Sequence, residues 1–278
     1  MSTRWAFIND DFVLAENATL LISDLSVQRG YGVFDFFRVI DNVPIYLNDH
    51  LNRFYNSADK MRLAVPYSRI ELTEIIHRLI NKNNFSESGI RITLTGGYSS
   101  DGYSISKPNL ILYQQLLKSC TLEEVERGLR LITYDYQREL PYIKTINYAM
   151  AIWLQPIIKL QGADDVLYHK KEIVTECPRS NIFIVTKDEI ILTPSENILH
   201  GITRGKVLEI AGSNFLVEER DITVNDVKNT REVFISNTTK RILPVLKVDD
   251  TVINNGKPGP ITLKLRSELI SMDASLLT

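Results

Sequence analysis

Stretches patterned for strands and stretches patterned for helices fall into two successive clusters along this chain, an order that restricts its fold more than any other feature. In the first cluster, residues 5–15 read as strand–turn–strand about Asn9, Asp10 and Asp11, and the aromatic and β-branched run 33–40 reads as another strand. Asp41 and Asn42 make a turn into 43–47. Leu47, Leu51, Phe54, Ala58 and Met61 then recur at spacings of four and three, the mark of one buried helix face, with Asn48 or Asp49 as its cap. Ile70, Leu72, Ile75, Ile76, Leu79 and Ile80 describe a second amphipathic helix, and strands follow at 89–95 and 109–117.

The polar stretch 118–127 has few large apolar residues and separates this cluster from the next. After it the pattern predicts a strand at 129–134, a helix over 146–161, and strands at 166–169 and 173–175. Segments 182–185 and 190–193 read as a hairpin joined through Lys187, Asp188 and Glu189; a helix starts near Thr203, and 233–236 is a short buried strand. The result is an α+β chain in two lobes, not the strict alternation of a doubly wound sheet. An N-terminal α/β lobe is expected over 1–118, a linker over 119–127 and a C-terminal lobe over 128–278.

A formal net charge of −2 argues against a nucleic-acid partner or an anionic membrane surface. No apolar run approaches a membrane span, and the N-terminal MSTRWAFINDDF lacks a signal-peptide core, so a cytoplasmic location is expected. Cys120 and Cys177 have neither metal nor redox spacing, so two reduced thiols and no metal are expected.

Four local features carry chemistry, each with an ordinary alternative. Lys144, flanked by Ile143 and Ile146, is placed where partial desolvation would make its amine a nucleophile toward a carbonyl; it also fits an exposed lysine whose stem covers apolar surface. Gly201-Ile202-Thr203-Arg204-Gly205 is a turn entering a helix, suited to an anion or simply to a capped helix. Ser236-Asn237-Thr238-Thr239 could donate to a phosphate or close a hydrogen-bonded turn. Glu176, in Thr175-Glu176-Cys177-Pro178-Arg179-Ser180-Asn181, could pair with a protonated ring nitrogen or be solvated in a hairpin loop. A lysine, a phosphate cup and an anion are together what pyridoxal 5'-phosphate (PLP) requires.

The order and spacing of these motifs resemble the fold-type IV aminotransferases over nearly the whole chain. The resemblance rests on 174–181, on Ile198-Leu199-His200-Gly201-Ile202-Thr203-Arg204, on 236–245 and on Asp49-His50-Leu51-Asn52-Arg53-Phe54. It implies that Lys144 holds PLP as a Schiff base and shuttles the substrate proton. It further implies that Arg53, Ile202, Thr203 and Thr238 hold the phosphate with help from Asn237, and that Glu176 pairs with the ring nitrogen. Leu199 would pack against the ring, and Tyr148 matches a tyrosine that bonds the ring hydroxyl in branched-chain members. A homodimer with amino-acid and 2-keto-acid substrates is implied as well.

The substrate end departs from the family. Typical D-amino-acid transaminases carry tyrosine where this chain has Phe34 and arginine where it has Gly96, so their carboxylate trap is missing. Arg29, Arg91 and Arg179 are the candidate replacements, since a guanidinium matches a carboxylate with two parallel bonds. The expectation is a D-amino-acid transaminase taking donors of the D-glutamate or D-alanine type, with 2-oxoglutarate or pyruvate as acceptor. The alternatives are an L-branched-chain transaminase, an aminodeoxychorismate lyase and an inactive PLP-binding homologue.

Overall fold

The computed structural model describes residues 4–277. The chain forms two compact units: the first runs to Lys118 and also takes in Ile143–Asn147, and the second comprises Ser119–Tyr142 and Tyr148–Leu276.

The first unit begins with β1 (Trp5–Ile8) and β2 (Asp11–Leu14), which pair about a left-handed Asn9 at φ 54°. The short helix α1 (Leu25–Arg29) is capped by Asp24 and stops at Gly30, whose φ of 66° suits a residue without Cβ. Next come β3 (Gly32–Ile40), β4 (Val43–Pro44), α2 (Leu47–Lys60), α3 (Arg69–Asn83), β5 (Glu87–Thr95) and β6 (Leu110–Leu116). The strands make a six-stranded sheet in the order β2-β1-β6-β5-β3-β4, antiparallel throughout. Helix α3 starts at a capping box between Ser68 and Glu71, worth about 1 kcal/mol. The cap expected at Asn48 or Asp49 is displaced: Tyr46, left-handed at φ 52°, precedes the helix, and Asp49 sits in the first turn where its charge suits the dipole.

Strand β3 is buried along almost its whole length. Val33, Phe37 and Val39 point into the core with Phe54, Ile76, Ile90 and Ile92, each such side chain contributing roughly 1.5–3 kcal/mol. Asp35 shares that face, while Phe34 and Phe36 alternate to the other. The N-terminal end of β3 leaves one edge unpaired by β4, and residues 143–147 take it: the Phe34 amide donates to the Lys144 carbonyl (2.9 Å) and the Ile146 amide to the Gly32 carbonyl (3.1 Å).

In the second unit α4 (Leu122–Arg127) occupies most of the stretch read as a linker, its capping box formed by Thr121 and Glu124. It leads into β7 (Leu129–Asp135). The single helix expected over 146–161 is instead α5 (Ala149–Trp153) and α6 (Gln155–Leu160), because 143–147 are extended and Pro156 has no N–H for the Ile152 carbonyl. Then follow β8 (Asp165–Lys170), β9 (Ile173–Val174), β10 (Asn181–Val185) and β11 (Ile191–Thr193), the last two forming the expected hairpin. The chain closes with α7 (Ile202–Gly212), β12 (Val217–Glu219), α8 (Val224–Lys228), β13 (Glu232–Asn237), β14 (Arg241–Val248), β15 (Thr251–Val252) and α9 (Pro260–Ser275). A nine-stranded mixed sheet results, with β7 parallel to both β14 and β8. Glu232, fully buried on β13, accepts from the Ile261 and Thr262 amides and so caps α9.

Candidate active site

In the first unit charged and aromatic side chains gather around Lys144. Its amide donates to the Ser57 hydroxyl on α2 (3.3 Å), and its ammonium lies 4.7 Å from the centre of the Phe34 ring. The Arg91 guanidinium lies 4.3 Å from the same ring centre. Arg91 is directly opposite Phe36 across β3 and β5, so it shares the face of Phe34, and Phe36 itself lies over Gly89, where a Cβ would meet the ring at 2.1 Å.

On the opposite face of β3, His50, Arg53 and Ser57 follow one another at spacings of three and four on α2. Asp35 meets the first two. Arg53 grips it from Nε to Oδ2 and from Nη2 to Oδ1, both at 2.8 Å, and His50 Nδ1 stands 2.7 Å from Oδ1. The carboxylate fixes the imidazole with its proton on Nδ1. Burial alone would raise the Asp35 pKa, yet the Arg53 and His50 charges and hydrogen bonds override it and hold the carboxyl well below its ordinary value. Burial lowers the His50 pKa; Asp35 opposes this, and the nearby charges of Arg53 and Lys144 add to it, leaving the imidazole neutral at pH 7.

In the second unit Glu176 is buried and held on both oxygens, by Arg138 Nε on Oε1 (2.7 Å) and by the Leu199 amide on Oε2 (2.9 Å). Arg138 also donates through Nη2 to the Pro141 carbonyl. The Leu199 carbonyl accepts from Asn181 Nδ2 (2.8 Å), so this residue is fixed at both backbone ends. Asn181 in turn presses on Gly201, where a Cβ would stand 2.2 Å from its Oδ1. Helix α7 starts just beyond, with no side-chain cap. The amides of Ile202, Thr203 and Arg204 and the hydroxyls of Thr203 and Thr238 have no hydrogen-bond partner among the described residues. Ser236, cross-strand from Asn181, has a buried hydroxyl that is likewise unsatisfied. Uncapped amides beside orphaned hydroxyls are a fit for phosphate.

The structure thus brings Lys144, Phe34, Arg91 and Arg53 together in one unit, and Glu176, Leu199, Ile202, Thr203 and the end of β13 in the other. Asn237 is engaged in its own turn, donating to Ser180 Oγ and accepting from Thr239 Oγ1 and the Lys240 amide. Tyr148 precedes α5, half-buried. Arg29 is exposed and donates to the neighbouring Gln28 carbonyl, not to the Lys144 group. Arg179 is exposed in its turn, and its charge acts on Asp165, opposing the upward push of burial there. Cys177 is fully buried, which pushes its thiol well up and leaves it unreactive. Sequence reading missed Asp35, His50, Ser57 and Arg138. The spacing of His50, Arg53 and Ser57 on one helix face was an available signal for two of them; nothing local marks Asp35 or Arg138. Among the described residues no group of His, Cys, Asp and Glu could hold a metal ion, and no helix is long and apolar enough to cross a membrane.

Residues 32–248 match the family model for amino-transferase class IV. The chain is 32% identical over 273 residues to a D-alanine aminotransferase of Listeria monocytogenes, covering 95% of this chain and 94% of the relative. It is 32% identical over 267 residues to a D-alanine aminotransferase of Staphylococcus epidermidis, covering 94% of each. Among solved structures it superposes with TM-score 0.92 on a branched-chain amino acid aminotransferase (T.th.) with pyridoxamine 5'-phosphate, at 25% identity, covering 99% of this chain and 96% of that one. With the lysine, the buried anion and the uncapped helix all present, the chain belongs to the class IV aminotransferases and is a PLP-dependent enzyme of fold type IV.

Proposed function

We propose that this aminotransferase moves the amino group of a D-amino acid, of the D-alanine or D-glutamate type, to a 2-keto acid such as 2-oxoglutarate or pyruvate. The handedness rests on its likeness to D-alanine aminotransferases over nearly the full chain. The observation that carries the substrate site is the Phe34 ring, against which both the Lys144 ammonium and the Arg91 guanidinium rest. A carboxylate gripped by Arg91 would lie beside the ring that the Lys144 ammonium also contacts.

PLP, when bound, supplies an aldehyde that takes the amino group and a ring that accepts electrons as the Cα–H bond breaks. Lys144 is the nucleophile toward that aldehyde and the base that carries the Cα proton. Arg53, the Ile202 and Thr203 amides and the Thr203 and Thr238 hydroxyls take the phosphate, with Asn237 bracing the turn that carries Thr238. Glu176 would accept a hydrogen bond from the protonated ring nitrogen, Leu199 would back the ring and Tyr148 would hydrogen-bond its hydroxyl. Arg91 is the carboxylate-binding group of choice: it is exposed, as Arg29 and Arg179 are, and its place against the Phe34 ring is what favours it. A homodimer in the cytoplasm is the working assembly we infer from the family.

The test pairs purified enzyme and 2-oxoglutarate with D-alanine, D-glutamate and L-leucine. Faster turnover of the D-donors is expected. Preference for L-leucine would instead establish the branched-chain reading that the structural likeness favours, and pyruvate release from aminodeoxychorismate would establish a lyase. Arg91→Ala is expected to raise KM for the donor about tenfold, and Phe34→Leu about threefold, the scale of a carboxylate pair and of a cation–π contact.

A further inference from the structure

We propose that Asp35, steadied by His50, is a positioning residue that turns Arg53 into a one-sided phosphate clamp; the inference rests on the reading of Arg53 as a phosphate ligand. An arginine side chain carries five N–H donors on a long, freely rotating stem. Left alone it has no fixed direction, and an anion binding to it must first order it. In this chain the ordering is done in advance. Asp35 takes the Nε and Nη2 edge in a fork, 2.8 Å on each tooth, and Nη2 is 3.4 Å from His50 Nδ1. Nη1 has no hydrogen-bond partner among the described residues, although the side chain is only 10% exposed. The guanidinium therefore offers one edge and withholds the others.

The holder is itself held. Asp35 sits in the middle of β3, opposite Ile92 of β5, and its Oδ1 also accepts from the Phe36 amide at 2.7 Å. His50 belongs to the same helix as Arg53, so strand and helix fix the fork from both ends. Ser57, one turn further along that helix, holds the Lys144 amide. One helix face thus sets both the arginine edge and the lysine backbone, and Asp35 is the strand residue that locks the first of them.

A counter-ion that merely neutralised Arg53 would stabilise the fold without favouring any ligand. A positioning residue must favour the phosphorylated cofactor. The experiment is a titration of apo-enzyme with PLP and, separately, with pyridoxal, which lacks the phosphate, followed by absorbance and tryptophan fluorescence. Asp35→Asn is expected to weaken PLP roughly ten- to a hundredfold, the scale of a charge-assisted hydrogen bond, while pyridoxal changes less than about twofold. Equal weakening of both, or of neither, overturns the proposal. Arg53→Met is the control on the reading beneath it. If that variant keeps the wild-type ratio of PLP to pyridoxal affinity, Arg53 is no phosphate ligand and that reading fails first. If Arg53→Met loses the ratio but Asp35→Asn keeps it, only the positioning role falls. Should Asp35→Asn not melt cooperatively, His50→Gln decides: it leaves the fork charged but takes the imidazole contact from Oδ1, and a PLP-selective loss of about threefold is expected, with an unchanged ratio overturning the proposal.

Discussion

Each unit of this enzyme contains a buried carboxylate–arginine pair, and the two pairs are anchored differently. In the first unit Asp35 is saturated by Arg53, His50 and the Phe36 amide, and Arg53 keeps a free edge. In the second the anchors are divided, Arg138 being tied to Glu176 and the Pro141 carbonyl and Glu176 to Arg138 and the Leu199 amide. A buried ion pair is weak ground for stability, because desolvation offsets most of the attraction. Its value here is direction: in the first unit the many-anchored Asp35 aims the guanidinium of Arg53, whereas in the second each partner has a backbone anchor of its own.

The largest effect that can probe this division comes from leaving both pairs alone. Lys144→Ala is expected to cut turnover on the order of a thousandfold or more while the PLP-to-pyridoxal affinity ratio persists, measured by steady-state kinetics and by titration. Loss of the ratio as well would mean the clamp depends on the lysine and not on Asp35. Next in size, Arg53→Met and Arg138→Met each strand a buried carboxylate and are expected to cost about 3 kcal/mol in denaturant unfolding. The stability losses should match, but only Arg53→Met should abolish discrimination between PLP and pyridoxal. Discrimination lost equally in both variants would break the contrast between the units.

The smallest effect lies in pH. His50 titrates below its ordinary 6.5 in the folded chain, so the unfolded chain binds that proton first, and the stability His50 contributes above pH 6.5 is lost as pH falls through its folded value. Asp35 titrates below its ordinary 3.8, so its contribution holds above that pH and is lost further down the acid range. Urea midpoints from pH 7 to 3 should therefore fall in two stages, and His50→Gln should remove the upper one. An unchanged upper stage in that variant would assign it to another group.

How legible these pairs were depends on the distance between partners. The helix carrying Arg53 announces itself by the spacing of Leu47, Leu51, Phe54 and Ala58, and β3 by its run of aromatic and β-branched residues. Glu176 and Lys144 stand out as candidates through the order of their motifs. Asp35 and Arg138 are not, because what defines them is a partner 18 or 38 residues away that only folding delivers. The setting of Lys144 was misread for a related reason. Its apolar neighbours suit the start of a helix, but the unpaired edge of β3 offers backbone bonds that no local pattern records. Arg29, Arg91 and Arg179 are all exposed, so burial does not separate them; the Phe34 ring beside Arg91 is a cross-strand contact that no local pattern records.

The strip that carries Lys144 lies along β3 by an edge, and an edge can slide. Side chains alternate along such a strip, so a slip of one residue would turn Ile143 or Thr145 to where the amine belongs. Gly32 guards against this: a Cβ there would stand 2.8 Å from the Leu94 carbonyl oxygen and 3.1 Å from the Ile146 side chain. Ile146 nests into that gap like a pawl in a notch. A residue with no functional group of its own thereby sets the indexing of the Lys144 strip, by an atom that is missing from the chain.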